Sequence, residues 1–288
     1  MPMSIAESKI ATRHGGISVW QSAGSRFPVL MIHGTGASKK VFRHQFSSPL
    51  ADRLRLIAID LPGHGDSDDA PAADGYSLPN LAATVSEIVD TLQLQHTVVY
   101  GWSLGGHIAI ELMSFHAAVS GVMLTGAPPL PRGPIGMFRG FHAGWDMLLA
   151  SKAAFTERDA ERFGHMCFGD SAPPEFLDDI RRSDGRCRAQ FSRSMLRGEG
   201  ADQRRVIETS RVPVAFVNGE HEKILRLSYL NGLRCPTLWE GQSHLVEGAA
   251  HSPFFQQPDA FNALLGRFAD DVAAAVANAP LLSVRRAS

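Results

Sequence analysis

Residues 98–107 read Val-Val-Tyr-Gly-Trp-Ser-Leu-Gly-Gly-His, and this stretch decides the fold. The apolar residues before Gly101 predict a buried strand, and the pattern from Leu104 to Ala117 predicts a helix. Ser103 therefore lies in a Gly-x-Ser-x-Gly motif at a strand-to-helix turn. Such a turn strains the serine backbone, exposes Oγ in a cleft and leaves helix N–H groups free for an oxyanion. A glycine-rich turn with a solvated serine is the alternative, but the position between strand and helix favours a nucleophile.

Other short apolar runs bounded by turn residues extend the strand pattern along the chain. They cover residues 28–32, 54–59, 121–124 and 213–217, with a shorter run at 237–239. Near-continuous apolar character is typical of parallel strands that are covered on both faces. Residues 78–92 place apolar side chains three and four positions apart, which predicts an amphipathic helix. The alternation predicts a doubly wound α/β sheet.

Composition narrows the class of protein. The chain has 288 residues, 28 basic and 29 acidic, for a net charge of −1. This balance argues against a nucleic-acid-binding protein, and no apolar run reaches the roughly 18 residues that span a membrane. The N-terminus lacks the apolar core of a signal peptide, and the three cysteines form no Cys-x-x-Cys pair. We therefore expect a cytoplasmic protein without disulfides.

Two further loops follow predicted strands. His33-Gly34-Thr35-Gly36 comes after the run at 28–32, where a backbone N–H has to reach towards Ser103. We predict that the N–H groups of Thr35 and Leu104 form an oxyanion hole. Residues 60–67 (Asp-Leu-Pro-Gly-His-Gly-Asp-Ser) follow the next strand run. We interpret Asp60 and His64 as residues that fix this turn and do not act on a substrate.

The strand and helix alternation stops between about residues 130 and 206. This stretch is rich in Arg, Phe, Met and Gly and has no convincing strand pattern. We predict a helical cap, residues 129–206, inserted into a core formed by residues 1–128 and 207–288. A separate helical domain with its own core is the alternative.

From about residue 10 to 275, the order and spacing of these segments resemble an α/β-hydrolase. The resemblance implies an eight-stranded, mostly parallel sheet with helices on both faces and a helical cap after the sixth strand. Serine at position 103 separates the chain from haloalkane dehalogenases and epoxide hydrolases, which need aspartate there.

Within that fold the chain is most similar to the metal-independent N-acyl-homoserine lactone hydrolases. The segments that carry this resemblance are 100–107, 124–129, 156–159, 184–186, 217–219, 238–241 and 250–254. The chain departs from that group at Phe163 and Thr35, where the lactonases carry tyrosine and asparagine.

Chain order in this fold is nucleophile, acid, base. His251, in a loop of small residues ahead of a helix, is predicted to be the base. His244 is its rival and suits a substrate contact. His107, one turn beyond Ser103, is interpreted as a hydrogen-bonded core histidine.

The acid of the triad is expected at the fourth position of a Gly-x-x-Asp pattern that follows the seventh strand. Residues 219–222 read Gly-Glu-His-Glu, so the resemblance implies Glu222 as the acid, with Glu220 as the alternative. The acid orients the imidazole and stabilises its cation.

Aromatic and methionine side chains of the cap are candidates for an apolar acyl pocket, although they could also form the cap's own core. They are Met137, Phe138, Phe141, Trp145, Met147, Phe155, Phe163, Met166 and Phe168. Gly34 and Trp102, beside the nucleophile, and His244 complete the predicted substrate pocket.

The motifs predict a serine hydrolase that works through a Ser-His-Glu triad and an acyl-enzyme, and the resemblance implies that it opens N-acyl-homoserine lactones without metal or cofactor. The His-x-His-x-Asp-His run of two-metal lactonases is absent from the sequence. The alternatives are a carboxylesterase or enol-lactonase, a carbon–carbon bond hydrolase, or a ligand receptor without activity. We expect a small ester or lactone as the partner, no nucleic acid or membrane, and a monomer or homodimer.

Overall fold

The computed structural model describes residues 5–142, 144–169 and 172–279. The eight strands lie in one sheet in the order β1-β2-β4-β3-β5-β6-β7-β8. β1 pairs with β2 and β2 with β4 in antiparallel fashion, and the remaining pairs are parallel. The strands are β1 (Ala6–Thr12), β2 (Gly15–Gln21), β3 (Pro28–Ile32), β4 (Arg55–Ile59), β5 (Thr97–Trp102), β6 (Val119–Thr125), β7 (Val214–Gly219) and β8 (His244–Val246).

Helices cover both faces of the sheet. In the described residues they are α1 (Arg43–Phe46), α2 (Leu50–Arg53), α3 (Leu78–Thr91), α4 (Leu104–Met113), α5 (Pro134–Gly140), α6 (Glu157–Phe168), α7 (Pro174–Arg182), α8 (Gly185–Arg197), α9 (Gln203–Glu208), α10 (Leu227–Leu230), α11 (Pro253–Gln256) and α12 (Pro258–Ala277). Short 3₁₀ helices span Lys39–Phe42, Ala73–Tyr76, Trp145–Ser151 and Trp239–Gly241. No helix of the described ranges has both the length and the apolar character needed to cross a bilayer.

Alternate side chains of each central strand enter two separate cores. On β3, Leu30 and Ile32 pack with Leu81 and Val85 of α3, whereas Met31 packs on the face that holds Phe261 of α12. Both sets are buried, which is why these strands appear in the sequence as continuous apolar runs. The eight-stranded α/β-hydrolase fold is confirmed.

Two differences from the predicted elements have physical causes. The N-terminal hairpin β1–β2 carries no apolar run because β1 is an exposed edge strand. The predicted strand at 237–239 is wrong. Leu238 makes only an isolated bridge to Val214, and a 3₁₀ helix starts at Trp239 before the true edge strand β8 begins at His244.

Between β6 and β7 the described residues form helices and no strand. Five α-helices, α5 to α9, lie in this segment, in keeping with an insertion at the carboxyl end of the sheet. The predicted boundary between residues 206 and 207 falls inside α9, which ends at Glu208. The division into core and cap therefore stays a prediction.

Candidate active site

Ser103 occupies the sharp turn between β5 and α4. Its φ of 53° and ψ of −117° are strained for a residue with a Cβ atom. The turn closes because the flanking glycines leave room: a Cβ at Gly105 would lie 2.1 Å from the carbonyl oxygen of Ile32. The Ser103 N–H donates to the carbonyl of Thr125 at 2.8 Å, which ties the turn to β6. The Ser103 side chain does not cap the N-terminus of α4 and so leaves the first N–H groups of the helix without that bond.

His251 and Glu222 form a buried hydrogen-bonded pair. The His251 Nδ1 lies 2.7 Å from the Glu222 Oε2, and both side chains are almost fully buried. The other carboxylate oxygen of Glu222 accepts from the Ile224 N–H at 2.7 Å and from the Leu225 N–H at 3.3 Å. An ionised carboxylate only accepts, so Nδ1 carries the hydrogen and the Nε2 lone pair is free to take a proton.

Burial disfavours ionisation of Glu222, but its partners outweigh that cost. The charge and hydrogen bond of His251 and the two backbone N–H groups leave the pKa of Glu222 below its usual value. The competing acid, Glu220, is half-exposed and reaches the Gly248 N–H and, at 3.8 Å, His221. Geometry therefore brings Glu222, and not Glu220, to His251.

Two neutral histidines hold the loop that contains Gly34 and Thr35. The His33 Nε2 accepts from the Leu61 N–H at 3.0 Å, and its Nδ1 lies 2.7 Å from the Gly34 carbonyl. The His64 Nε2 accepts from the Gly36 N–H at 3.2 Å. Burial lowers the pKa of His33 to about 4 and that of His64 to about 3, so both accept hydrogen bonds at neutral pH. His64 thus fixes the turn and occupies the Gly36 N–H.

Asp60 anchors a buried ion cluster that the sequence did not reveal. Its carboxylate accepts from the Lys39 N–H at 2.6 Å, from Lys39 Nζ at 2.8 Å and from the Asp66 N–H at 2.8 Å. Lys39 is fully buried, which is rare for a lysine. Asp60 holds the loop through these bonds and does not line the cavity above Ser103, which agrees with its interpretation as a residue that fixes the turn.

A cavity of about 80 Å³ lies above Ser103, between the sheet and the helices that follow β6. Its apolar lining comes largely from those helices. The lining residues are Thr35, Ser103, Leu104, His107, Met137, Phe141, Ala150, Phe163, Met166, Cys167, Phe191, Ser192, Met195, Ile224 and His251. Ser103, His251 and the two predicted oxyanion donors, Thr35 and Leu104, therefore share one cavity.

The predicted cap residues divide according to helix geometry. Met137 and Phe141 lie four positions apart, share one side of the α5 segment and line the cavity, as do Phe163 and Met166 of α6. Phe138 is 75 % exposed and is not among the residues that line this cavity, so its place in a substrate pocket stays a prediction.

Others lie beneath the cavity or outside the described part. Phe168 is buried against Trp102, and Phe155 packs on Phe163 away from the cavity. The side chains of Trp145 and Met147 lie outside the described residues.

The remaining predicted pocket residues support the site from behind or lie away from it. Trp102 is fully buried, and its Nε1 donates to the His251 carbonyl at 2.9 Å, so it holds the loop that carries the base. Gly34 packs against Trp102 and Ser103, where a Cβ would lie 3.1 Å from the Ser103 Cβ. The ring of His244 packs on that of Trp239, with centroids 4.7 Å apart, and is not among the residues that line this cavity, so its substrate contact stays a prediction.

Two polar residues of the cavity wall, His107 and Ser192, were not predicted to line a pocket. His107 has the buried, hydrogen-bonded position that was predicted, yet it also lines the cavity. Its place one helical turn after Ser103 is the signal that could have revealed this. Among the described residues, no group of three or more His, Cys, Asp or Glu side chains is arranged to hold a metal ion.

Comparisons with known proteins agree on the fold. Residues 29–264 match the model of the alpha/beta hydrolase family. A solved structure of a mutant of the N-acyl homoserine lactonase AidH, complexed with N-hexanoyl homoserine, is similar at a TM-score of 0.91 and 37 % identity over 93 % of this chain and 98 % of that one.

Curated relatives are more distant. The AB hydrolase superfamily protein YisY of Bacillus subtilis is 27 % identical over 87 % of this chain and 94 % of its own length. A pimeloyl-[acyl-carrier protein] methyl ester esterase of Neisseria meningitidis is 28 % identical over 85 % of this chain and 94 % of its own length.

Proposed function

The chain belongs to the alpha/beta hydrolase family and is a carboxylic ester hydrolase, and we propose that it opens the lactone ring of N-acyl-homoserine lactones. One observation carries the proposal: His251, which is paired with the buried Glu222 at 2.7 Å, shares a cavity with Ser103 on a strained turn. The similarity to AidH at 37 % identity supports the choice of substrate.

The proposed reaction is acyl transfer in two halves. The His251 Nε2 takes the proton of Ser103 Oγ as this oxygen attacks the lactone carbonyl. The ring C–O bond then breaks, the alkoxide takes the proton from His251, and the acyl group stays on Ser103 as an ester. Water that gives its proton to His251 attacks this ester, and Ser103 recovers its proton as the acyl-homoserine leaves. Glu222 keeps its charge throughout and holds the imidazole in the required tautomer.

Negative charge on the attacked oxygen needs donors that are in position before the reaction. We assign this role to the N–H groups of Thr35 and Leu104. The Gly36 N–H is already occupied by His64 and is therefore not available to the oxyanion. Donors fixed in advance need no reorganisation when the charge forms, and one such donor is worth about 3 kcal/mol.

The apolar wall above Ser103 suits an acyl chain. Phe141, Phe163 and Phe191, together with three methionines, provide an adaptable surface with few polar atoms. We propose that residues 129–206 form a cap whose inner face selects the chain. No metal or cofactor takes part in the proposed steps.

The test is ring opening of hexanoyl- and decanoyl-homoserine lactone, followed by mass after chromatography and corrected for spontaneous hydrolysis. Wild type with and without a chelator is compared with Ser103→Ala. The control is Ser114→Ala, which changes a serine just after the opposite end of α4. We expect ring opening that survives the chelator, persists in the control and disappears in Ser103→Ala.

A simple carboxylesterase is the second candidate, favoured by the 28 % identity to methyl ester esterases. In that case p-nitrophenyl butyrate is cleaved, again dependent on Ser103, while both homoserine lactones stay intact. That result would overturn the lactone assignment and leave the proposed triad standing.

A further inference from the structure

The imidazole of His107 is a polar group in the largely apolar wall of the cavity above Ser103. It lies one helical turn after Ser103 on α4 and lines the same cavity. Its ring sits between those of Phe141 and Phe191, with centroids 6.0 Å away in each case. Only 4 % of the residue is exposed, so the surroundings of the imidazole are those of a protein interior.

The tautomer of His107 follows from its partner, Gln203 of α9. The Gln203 Nε2 lies 3.1 Å from the backbone carbonyl of His107, and that oxygen can only accept a hydrogen bond. The NH₂ group of Gln203 therefore points to the carbonyl, and Oε1 points to the imidazole Nδ1 at 2.8 Å. Since Oε1 only accepts, Nδ1 must carry the hydrogen.

The other ring nitrogen is consequently a bare acceptor. Burial lowers the pKa of His107 to about 4, so the ring is neutral at physiological pH and Nε2 keeps its lone pair. Within the described ranges Nε2 makes no hydrogen bond, whereas Nδ1 is fully used by Gln203. Ser192, on the same wall, gives its O–H to the Ala150 carbonyl at 3.2 Å, so it too presents lone pairs.

A substrate that fills this cavity keeps water away from His107, which lines it. If the substrate carries only C–H groups there, Nε2 is left as a buried acceptor without a hydrogen bond, which disfavours binding. If it carries an O–H or N–H at that point, Nε2 receives a hydrogen bond. A wall of this kind therefore selects substrates that have a donor.

We propose that His107 is a specificity-determining residue whose Nε2 accepts a hydrogen bond from an O–H or N–H donor on the acyl side of the scissile ester. This rests on the proposed function, in which the acyl part occupies the cavity above Ser103. Two sources of the donor fit the chemistry: the amide N–H beside the lactone ring and a hydroxyl on the acyl chain.

Four substrates separate these sources. They are N-hexanoyl- and N-(3-hydroxyhexanoyl)-homoserine lactone, and the two analogues in which the amide N–H is replaced by oxygen. Ring opening is followed by mass, so cleavage of the added ester in the analogues is counted apart. For each enzyme, the kcat/KM of a substrate with the donor is divided by that of the matched substrate without it, once for the N–H and once for the O–H. Both substrates of a pair are measured on the same enzyme preparation, so an inactive, misfolded fraction does not change the ratio.

We expect at least one donor to raise kcat/KM of the wild type by about tenfold. His107→Phe keeps an aromatic ring but removes the acceptor, so we expect this ratio to fall to about one. The donor whose ratio falls is the one that binds His107. His96→Phe makes the same replacement at an exposed histidine outside the cavity lining and keeps the wild-type ratio. The proposal is overturned if both ratios in His107→Phe stay within twofold of the wild type.

A protein that does not open homoserine lactones can still be tested for the acceptor role of His107. If no homoserine lactone is opened, the same comparison uses ethyl 3-hydroxyhexanoate and ethyl hexanoate on wild type and His107→Phe. A hydroxyl preference that is lost in the variant supports the acceptor role with another ester class, and an equal ratio in both proteins overturns it.

Discussion

Burial and hydrogen bonding act in opposite directions on the ionisation of Glu222. The protein interior penalises its charge, yet one oxygen receives two backbone N–H groups and the other receives the His251 Nδ1–H. Each donor needs an acceptor lone pair, and only the carboxylate supplies lone pairs on both sides. The fixed backbone donors therefore dictate that a charged group, and not an amide, faces His251.

Glu222→Gln tests this residue. The amide oxygen of glutamine would turn to the Ile224 and Leu225 N–H groups, and its NH₂ would then face His251 and force the hydrogen onto Nε2. The wrong tautomer cannot accept the serine proton, so we expect kcat to fall by about 10³-fold to 10⁴-fold. Steady-state kinetics at pH 7 measure this. Glu222→Asp, which keeps the charge, should retain more activity, and a Glu222→Gln rate within tenfold of the wild type would contradict the assignment.

At the scale of elements, loops at the carboxyl ends of the strands hold the site together. The loop after β6 approaches the base: Gly126 has a φ of +65°, and a Cβ there would lie 2.3 Å from the His251 Cε1. The Gly126 N–H donates to the Asn218 side chain at 2.8 Å, which fixes that approach. The position of the imidazole thus depends on a residue on another strand.

Gly126→Ala should therefore damage activity more than stability. The methyl group would displace the imidazole by about 1 Å, and a shift of that size costs about 100-fold in rate. Gly241→Ala is the matched control, because Gly241 has a φ of +68° and a Cβ there would meet open space among the described residues. Both variants share a backbone strain of roughly 1 to 3 kcal/mol. Equal kcat/KM values in the two variants would refute the contact argument.

The buried ion cluster joins three elements. Lys39 lies after β3, Asp60 and Asp66 follow β4, and Glu7 of β1 reaches the Lys39 Nζ at 3.1 Å. Both Lys39 and Asp60 are fully buried, so each charge depends on the other.

Lys39→Met leaves the Asp60 charge buried without its cation, and we expect a loss of about 3 to 5 kcal/mol in the free energy of unfolding. Lys40→Met removes a half-exposed lysine 3.9 Å from Asp66 and should change that free energy by less than about 1 kcal/mol. Denaturant unfolding of both variants makes the measurement. Asp60→Asn added to Lys39→Met should recover part of the loss, and equal stability of the two single variants would count against the cluster.

Across the whole molecule, three buried histidines couple stability to pH. The pKa values of His33, His64 and His107 lie at about 4, 3 and 4, below the usual 6.5, because burial penalises the cation. Between pH 6.5 and 4 the unfolded chain therefore binds more protons than the folded one. It follows that stability falls as the pH drops through this range.

We expect the free energy of unfolding to decrease steadily from pH 7 to pH 4, as measured by denaturant unfolding at each pH. His107→Phe should lower the slope by close to one proton, because this histidine alone accounts for about 3 kcal/mol across the range. An unchanged slope in His107→Phe would show that His107 binds its proton equally well in both states.

Much of the fold could be predicted from patterns of residues that are close together in the sequence. The strands of the central sheet, the helices at 78–91 and 104–113 and the turn at Ser103 each depend on residues adjacent in the sequence, and the structure has them within a few residues. The loop with Thr35 and the pair of His251 with Glu222 follow from chain order in a fold that those signals identify.

What the tertiary structure alone decided is which side chains face each other across long sequence separations. It turns Phe141 inward and Phe138 outward, moves His244 away from the cavity, buries Lys39 beside Asp60 and sets Gln203 against His107. The buried Trp102 Nε1 has its acceptor 149 positions away, and the tautomer of His107 depends on a partner 96 positions away. The sequence determined the elements and the turn that bears Ser103 because backbone preferences act locally, whereas packing and hydrogen bonding between distant segments formed the cavity.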